Sequence, residues 1–217
     1  MMANSTLFVL LSLAGMLFAT GGSLISALAY RGKNGERYSP LNHFISELGE
    51  VGVSKLALAF NLGLILSGLS LIPACFVLGS LIPGFLAKVG MITGLIAALS
   101  LALVGVFPMN NIKPHGIAAV TFFRFGLLMV STFSIAIAVQ PQGSLVLPRL
   151  YSLAGLPAIL AFSSFLILMR QSASDNHDPL EPTLETRPKV CLMTVVEWAI
   201  FLTIILWFLL VAVGLGM

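Results

Sequence analysis

Polar side chains inside long apolar runs are the first candidates for chemistry in this sequence. Three stand out: Asn61, Arg124 and Glu197. Counted from Lys55, His115 and Lys189, they enter their runs to depths of roughly 9, 14 and 12 Å, all from the same expected side. An unpaired charge at such depth costs on the order of 2.5–3.5 kcal/mol or more, so each calls for a partner. The spacing predicts a buried polar cluster in which Arg124 pairs with Glu197 and Asn61 lies nearby. A structural ion pair, a ligand or headgroup site built around it, and Arg124 snorkelling outward to headgroups are all open readings.

The second constellation is His43, Ser46, Glu47 and Glu50, joined by His115 from another connection. His43, Glu47 and Glu50 fall at i, i+4 and i+7, which is one face of a helix. At 100° per residue, Leu41, Phe44, Ile45, Leu48 and Val51 fill the opposite arc. With Ser39-Pro40 as N-cap and first helical position, this predicts an amphipathic interfacial helix of about three turns, ending near Gly49 or Gly52. Its polar face would meet headgroups and the third connection. The same residue types could hold a divalent metal through His43, Glu47 and His115. No HExxH or comparable motif supports that alternative, and an amphipathic helix carries a polar face in any case. His115 and Arg124 lie about 180° apart if one regular helix holds both, so they share a ligand only if His115 precedes the helix.

The elements that must position these residues are membrane spans. Of the 217 residues, 58% are hydrophobic and only 9% charged. Soluble domains carry roughly 25% charged residues, so this chain has too few to solvate a globular surface. The runs predict six spans: Ser5–Tyr30, Val53–Ile82, Gly84–Pro108, His115–Gln140, Leu147–Arg170 and Val190–Gly216. The fold class expected is all-α, a polytopic six-transmembrane-helix bundle plus the interfacial amphipathic helix, forming a single domain over 1–217. Met1 to Tyr30 has no basic flank and too long an apolar stretch for a signal peptide, so it is read as a retained span.

Prolines and glycines mark the connections. Pro83-Gly84 makes a very tight hairpin between spans two and three, and Pro73 and Pro157 are expected to kink their helices. Gly90 and Gly94 form a GxxxG suited to close helix packing, and Gly63 and Gly68 along the second span would also permit it. Trp198 and Trp207 read as lipid-facing or belt residues. Residues 171–189 read as an exposed acidic loop, with Asp175, Asp178, Glu181 and Glu185 among prolines. Cys75 and Cys191 fall at opposite ends of their spans, which disfavours a disulfide.

Arg31, Lys33, Arg37 and Lys55 lie in the first connection, Lys113 in the third, and Arg170, Arg187 and Lys189 around the fifth. The other side carries only Lys88 and Arg149. The positive-inside rule therefore predicts the odd-numbered connections in the cytoplasm and both termini outside. The small net charge of +3 sits at span ends, which suits anionic lipid headgroups and not nucleic acid.

A family pattern runs through the same residues. His43-Phe44-Ile45-Ser46-Glu47-Leu48-Gly49 is followed by Phe60-Asn61-Leu62-Gly63 and Gly68, then by Gly105-Val106-Phe107-Pro108 and His115. From the first span to the fifth, the chain resembles a widespread prokaryotic family of six-span membrane proteins catalogued as a domain of unknown function. The resemblance implies the six-span fold and links the first connection to Asn61 and His115. It implies no activity.

Three functions remain open from sequence. The first is binding of lipid or a small molecule at the polar cluster, with membrane lipids as partners. The second is a structural or accessory role, through helix–helix contacts in a membrane complex or homo-oligomer. The third is a metal-dependent lipid hydrolase or transferase. No Walker loop, nucleophile elbow, cysteine cluster or paired haem histidines occur, so no cofactor is expected.

Overall fold

A computed structural model describes residues 2–174 and 188–216. Six long α-helices account for most of them: α1 (Met2–Ala29), α2 (Ala57–Leu81), α3 (Phe85–Val106), α4 (Ile112–Ala138), α5 (Leu156–Ser174) and α6 (Leu192–Gly216). Six segments are long and apolar enough to cross a membrane, and the described residues include no strand. The expected all-α polytopic bundle is therefore present. The expected acidic loop lies mostly outside the described residues; its first four residues instead extend α5 to Ser174.

Consecutive helices pack as antiparallel neighbours from α1 to α4, and α6 returns to contact both α5 and α1. The close approaches depend on small residues. A Cβ on Gly63 of α2 would lie 2.6 Å from the Phe18 carbonyl oxygen of α1, and one on Gly94 would lie 2.8 Å from Cys75 Sγ. The GxxxG of α3 thus fits against α2 and α4, as that spacing predicts. Trp207, Phe133, Phe162 and Phe165 form the centre of the apolar core. Trp207 is fully buried, not a belt residue. Large apolar side chains such as Phe85 and Leu28 point outward, 79% and 75% exposed, as lipid-facing residues do.

Two prolines behave differently. Pro73 sits inside an unbroken α2. Pro157 lies in the first turn of α5, directly after a 3-10 segment spanning Arg149–Gly155. The fifth span is thus a 3-10 lead-in joined to an α-helix, not one kinked helix. Proline is well tolerated in a first turn, where its missing N–H leaves no intrahelical bond unmade. Cys75 and Cys191 are free thiols.

The interfacial amphipathic helix does not form. Residues 39–43 make a single turn, in which the Asn42 and His43 N–H groups donate to the Ser39 carbonyl. Phe44 is extended, and only a five-residue 3-10 helix, Ile45–Gly49, follows. The reason lies in the backbone hydrogen bonds. In an α-helix the Ile45 N–H would bond to the Leu41 carbonyl. Instead Ile45 N–H donates to Glu197 Oε2 at 2.7 Å, and Leu41 O accepts from the Cys191 N–H at 2.7 Å. Likewise the Phe44 N–H goes to Glu47 Oε1 at 2.8 Å. Tertiary partners take both halves of the bond that would propagate the helix. The polar and apolar faces are then buried together: His43, Ser46, Glu47 and Leu48 are all buried.

Candidate functional site

The first connection folds onto the bundle at the end where α2, α4 and α6 begin. Most of its anchors come from far along the chain. Glu197 of α6 holds the Ile45 N–H. Asn61 of α2 donates through Nδ2 to the Gly49 carbonyl at 3.0 Å. Asn110, between α3 and α4, accepts from the Val51 N–H at 2.7 Å and donates to its carbonyl at 2.9 Å, like an added rung of ladder. Ser46 Oγ lies 3.2 Å from the Met109 sulfur. Tyr38 receives the Trp198 Nε1–H at 2.8 Å and donates toward the His43 and Phe44 carbonyls. Burial first, and the Glu197 carboxylate second, push the Tyr38 hydroxyl well above its usual range. It therefore serves as a neutral donor and acceptor.

The two histidines take separate roles. His43 Nδ1 lies 3.2 Å from the Ser39 N and 3.3 Å from the Ser39 carbonyl oxygen, so the ring is tied to the backbone of its own turn. The His43 ring lies among Tyr30 and Tyr38, and its Nε2 is 4.0 Å from Glu36 Oε1. His115 lies inside α4, one turn from its start, and its Nδ1 donates to the Phe107 carbonyl at 2.7 Å. A carbonyl only accepts, so Nε2 of the neutral His115 ring is an acceptor. Glu50 reaches outward to Lys33 at 3.2 Å.

The expected Arg124–Glu197 pair is absent. Glu197 is buried and bound to backbone, whereas Arg124 is exposed on the outer surface of α4. His115 and Arg124 share one regular helix, and helical geometry sends them to opposite faces. The buried polar cluster therefore contains Asn61 and Glu197 with the first connection, and not Arg124. The alternative metal set does not assemble either. His43 is engaged with Ser39, Glu47 with the Phe44 N–H and His115 with Phe107. Among the described residues, no three His, Cys, Asp or Glu side chains lie together as a metal site.

Sequence reasoning missed Tyr38, Asn110 and Trp198. Tyr38 and Asn110 lie in connections, and Trp198 adjoins Glu197 on a helix that reads as uniformly apolar. Their spacing along the chain carries no signal of contact; only the fold joins Trp198 to Tyr38 across 160 residues.

Beneath this lid lies a cavity of about 100 Å³ inside the bundle. Its lid end is lined by Ser46, His115 and Glu197, and its far end by Cys75, Met129 and Phe208. Along α2 it runs from Phe60 to Cys75, a rise of roughly 22 Å. This slot is apolar along its walls and polar at the lid end.

An all-helical bundle with six lipid-spanning segments and a folded polar lid is a polytopic integral membrane protein. The chain belongs to the family described as Protein of unknown function (DUF998), whose model matches residues 12–214. The match extends the resemblance through the sixth helix. Neither the curated proteins nor the solved structures contain a match.

Proposed function

We propose that this protein binds the tail of a single-chain amphiphile, such as a lipid with one free acyl or isoprenoid chain, inside the bundle. The observation that carries this reading is the slot itself, a narrow apolar passage ending at Ser46, His115 and Glu197. An apolar tail would fill the slot, while a headgroup with hydroxyl, amide or amine hydrogens would meet His115 Nε2 and the Glu197 oxygen left over from the Ile45 bond. At about 100 Å³ the slot is smaller than a full acyl chain, so the apolar side chains along it must shift to admit one. The positive-inside rule supports placing the lid end on the cytoplasmic side, because Arg31, Lys33, Arg37 and Lys113 lie in the connections there.

The test uses the full chain in phosphatidylcholine vesicles with a photoactivatable diazirine palmitoyl lysolipid. Crosslinks are expected on slot residues of α3, α4 and α6. Ala98→Phe, which fills the slot from α3, should abolish them, and Leu99→Phe, on the lipid-facing side of the same helix, should not. Crosslinks confined to outward residues, or equal in both variants, overturn the proposal.

A further inference from the structure

Arg124 stands apart from the polar lid and from the slot, and it poses a separate electrostatic problem. It lies twelve residues after Ile112 and fourteen before Ala138, so each end of α4 is roughly 18–21 Å away. A hydrocarbon core of about 30 Å centred on this helix puts Arg124 close to the midplane. Its side chain is exposed and makes no hydrogen bond or ion pair among the described residues. The stripe around it is largely apolar: Ile117, Leu128 and Ile135 are 71%, 47% and 50% exposed, and the Thr121 hydroxyl is bonded back to the Ile117 carbonyl. Snorkelling relieves long basic side chains near helix ends, and Arg124 is near neither end.

We propose that the Arg124 face of α4 docks against a membrane-spanning helix of a different protein, one carrying a carboxylate at matching depth. Charge complementarity selects this occupant. A second copy of the chain does not supply the anion. Of its eight Asp and Glu residues, only Glu197 lies within a spanning helix, and that side chain is buried and bound to Ile45. The others lie in the first connection or between positions 175 and 185. Ile117, Leu128 and Ile135 recur at helical spacing with Arg124 and would form the apolar rim of such a contact. A guanidinium facing a carboxylate would make a two-pronged hydrogen-bonded pair, which fixes both depth and rotation of the incoming helix.

The experiment measures energy transfer between labelled full-length protein and a labelled polyleucine spanning peptide in phosphatidylcholine vesicles. One peptide carries a single central Glu and its control a central Leu. The Glu peptide should associate about tenfold more tightly than the Leu peptide, because an interhelical polar contact is worth about 1–2 kcal/mol. Arg124→Leu should erase that preference, and Arg124→Glu should transfer it to a peptide with a central Lys. Because Arg124 is exposed, both variants should keep the wild-type helical spectrum. Equal association of the Glu and Leu peptides with wild type overturns the proposal, as does a preference that survives Arg124→Leu. If phosphatidylglycerol added to the vesicles binds through Arg124 and removes the peptide preference, the site belongs to an anionic headgroup and the proposal fails.

Discussion

The two ends of the bundle are closed by different means. At the lid end, bonds join residues far apart in sequence: Ile45 to Glu197 across 152 residues, Tyr38 to Trp198 across 160, and Ser46 to Met109 across 63. At the opposite end the bonds are local. Gln140 caps its own helix at Ile137 and ties down Val146 and Leu147, while Arg149 donates to the Gln140 carbonyl. Lys88 bonds to the Gly79 carbonyl only nine residues away. Locally closed connections can form as soon as a helical hairpin does. The lid's bonds need α2, the connection before α4, and α6 in place together, and so the lid reports on much of the bundle. The polar end of the proposed ligand slot lies beneath the lid, where most of the closing bonds are long-range.

Substitutions separate these two kinds of closure. Trp207→Ala should have the largest effect, about 3–5 kcal/mol, because it empties a fully buried site in the central core. It should lower the thermal transition of the entire bundle, measured by circular dichroism in detergent, without selectively exposing the lid. Glu197→Leu should cost about 2 kcal/mol by leaving the part-buried Ile45 N–H without its acceptor. Here the loss should fall on the lid: faster amide exchange over residues 44–49 and faster tryptic cleavage after Lys33 and Arg37. Glu197→Gln retains an acceptor and should lose much less. If Glu197→Leu leaves lid exchange unchanged, the long-range account of that end is wrong.

Gln140→Leu should cost about 1–2 kcal/mol and speed exchange only around residues 140–147, leaving the lid protected. An effect that spreads to residues 44–49 would erase the distinction between the ends. Tyr38→Phe should be smallest, about 1 kcal/mol, because it removes one hydroxyl from a site that keeps its ring contacts. Its signature should be a shift in Trp198 emission, read in a variant whose other tryptophan is replaced by phenylalanine.

The six spans were legible because burial in lipid is a one-dimensional property. Each needs about 20 apolar residues in a row, and hydropathy reads that directly. Glu197 and Asn61 were legible as residues that must be satisfied, since a polar group at depth has few alternatives. Their partners were not legible. The apolar and polar stripes of residues 41–51 favour an amphipathic helix, and as an isolated segment that reading is sound. It fails because Glu197 and Cys191 supply partners for the very backbone groups that a helix would pair with each other. Arg124 and Glu197 were paired on depth and charge alone, yet depth leaves rotation about the helix axis free. Helical phase puts Arg124 opposite His115, but only packing decides which of those two faces turns inward. The sequence by itself determined what must cross the membrane and which polar groups need partners. The tertiary structure decided which partners they find, because hydrogen bonds between distant segments depend on helix rotation and order in the bundle, and hydropathy encodes neither.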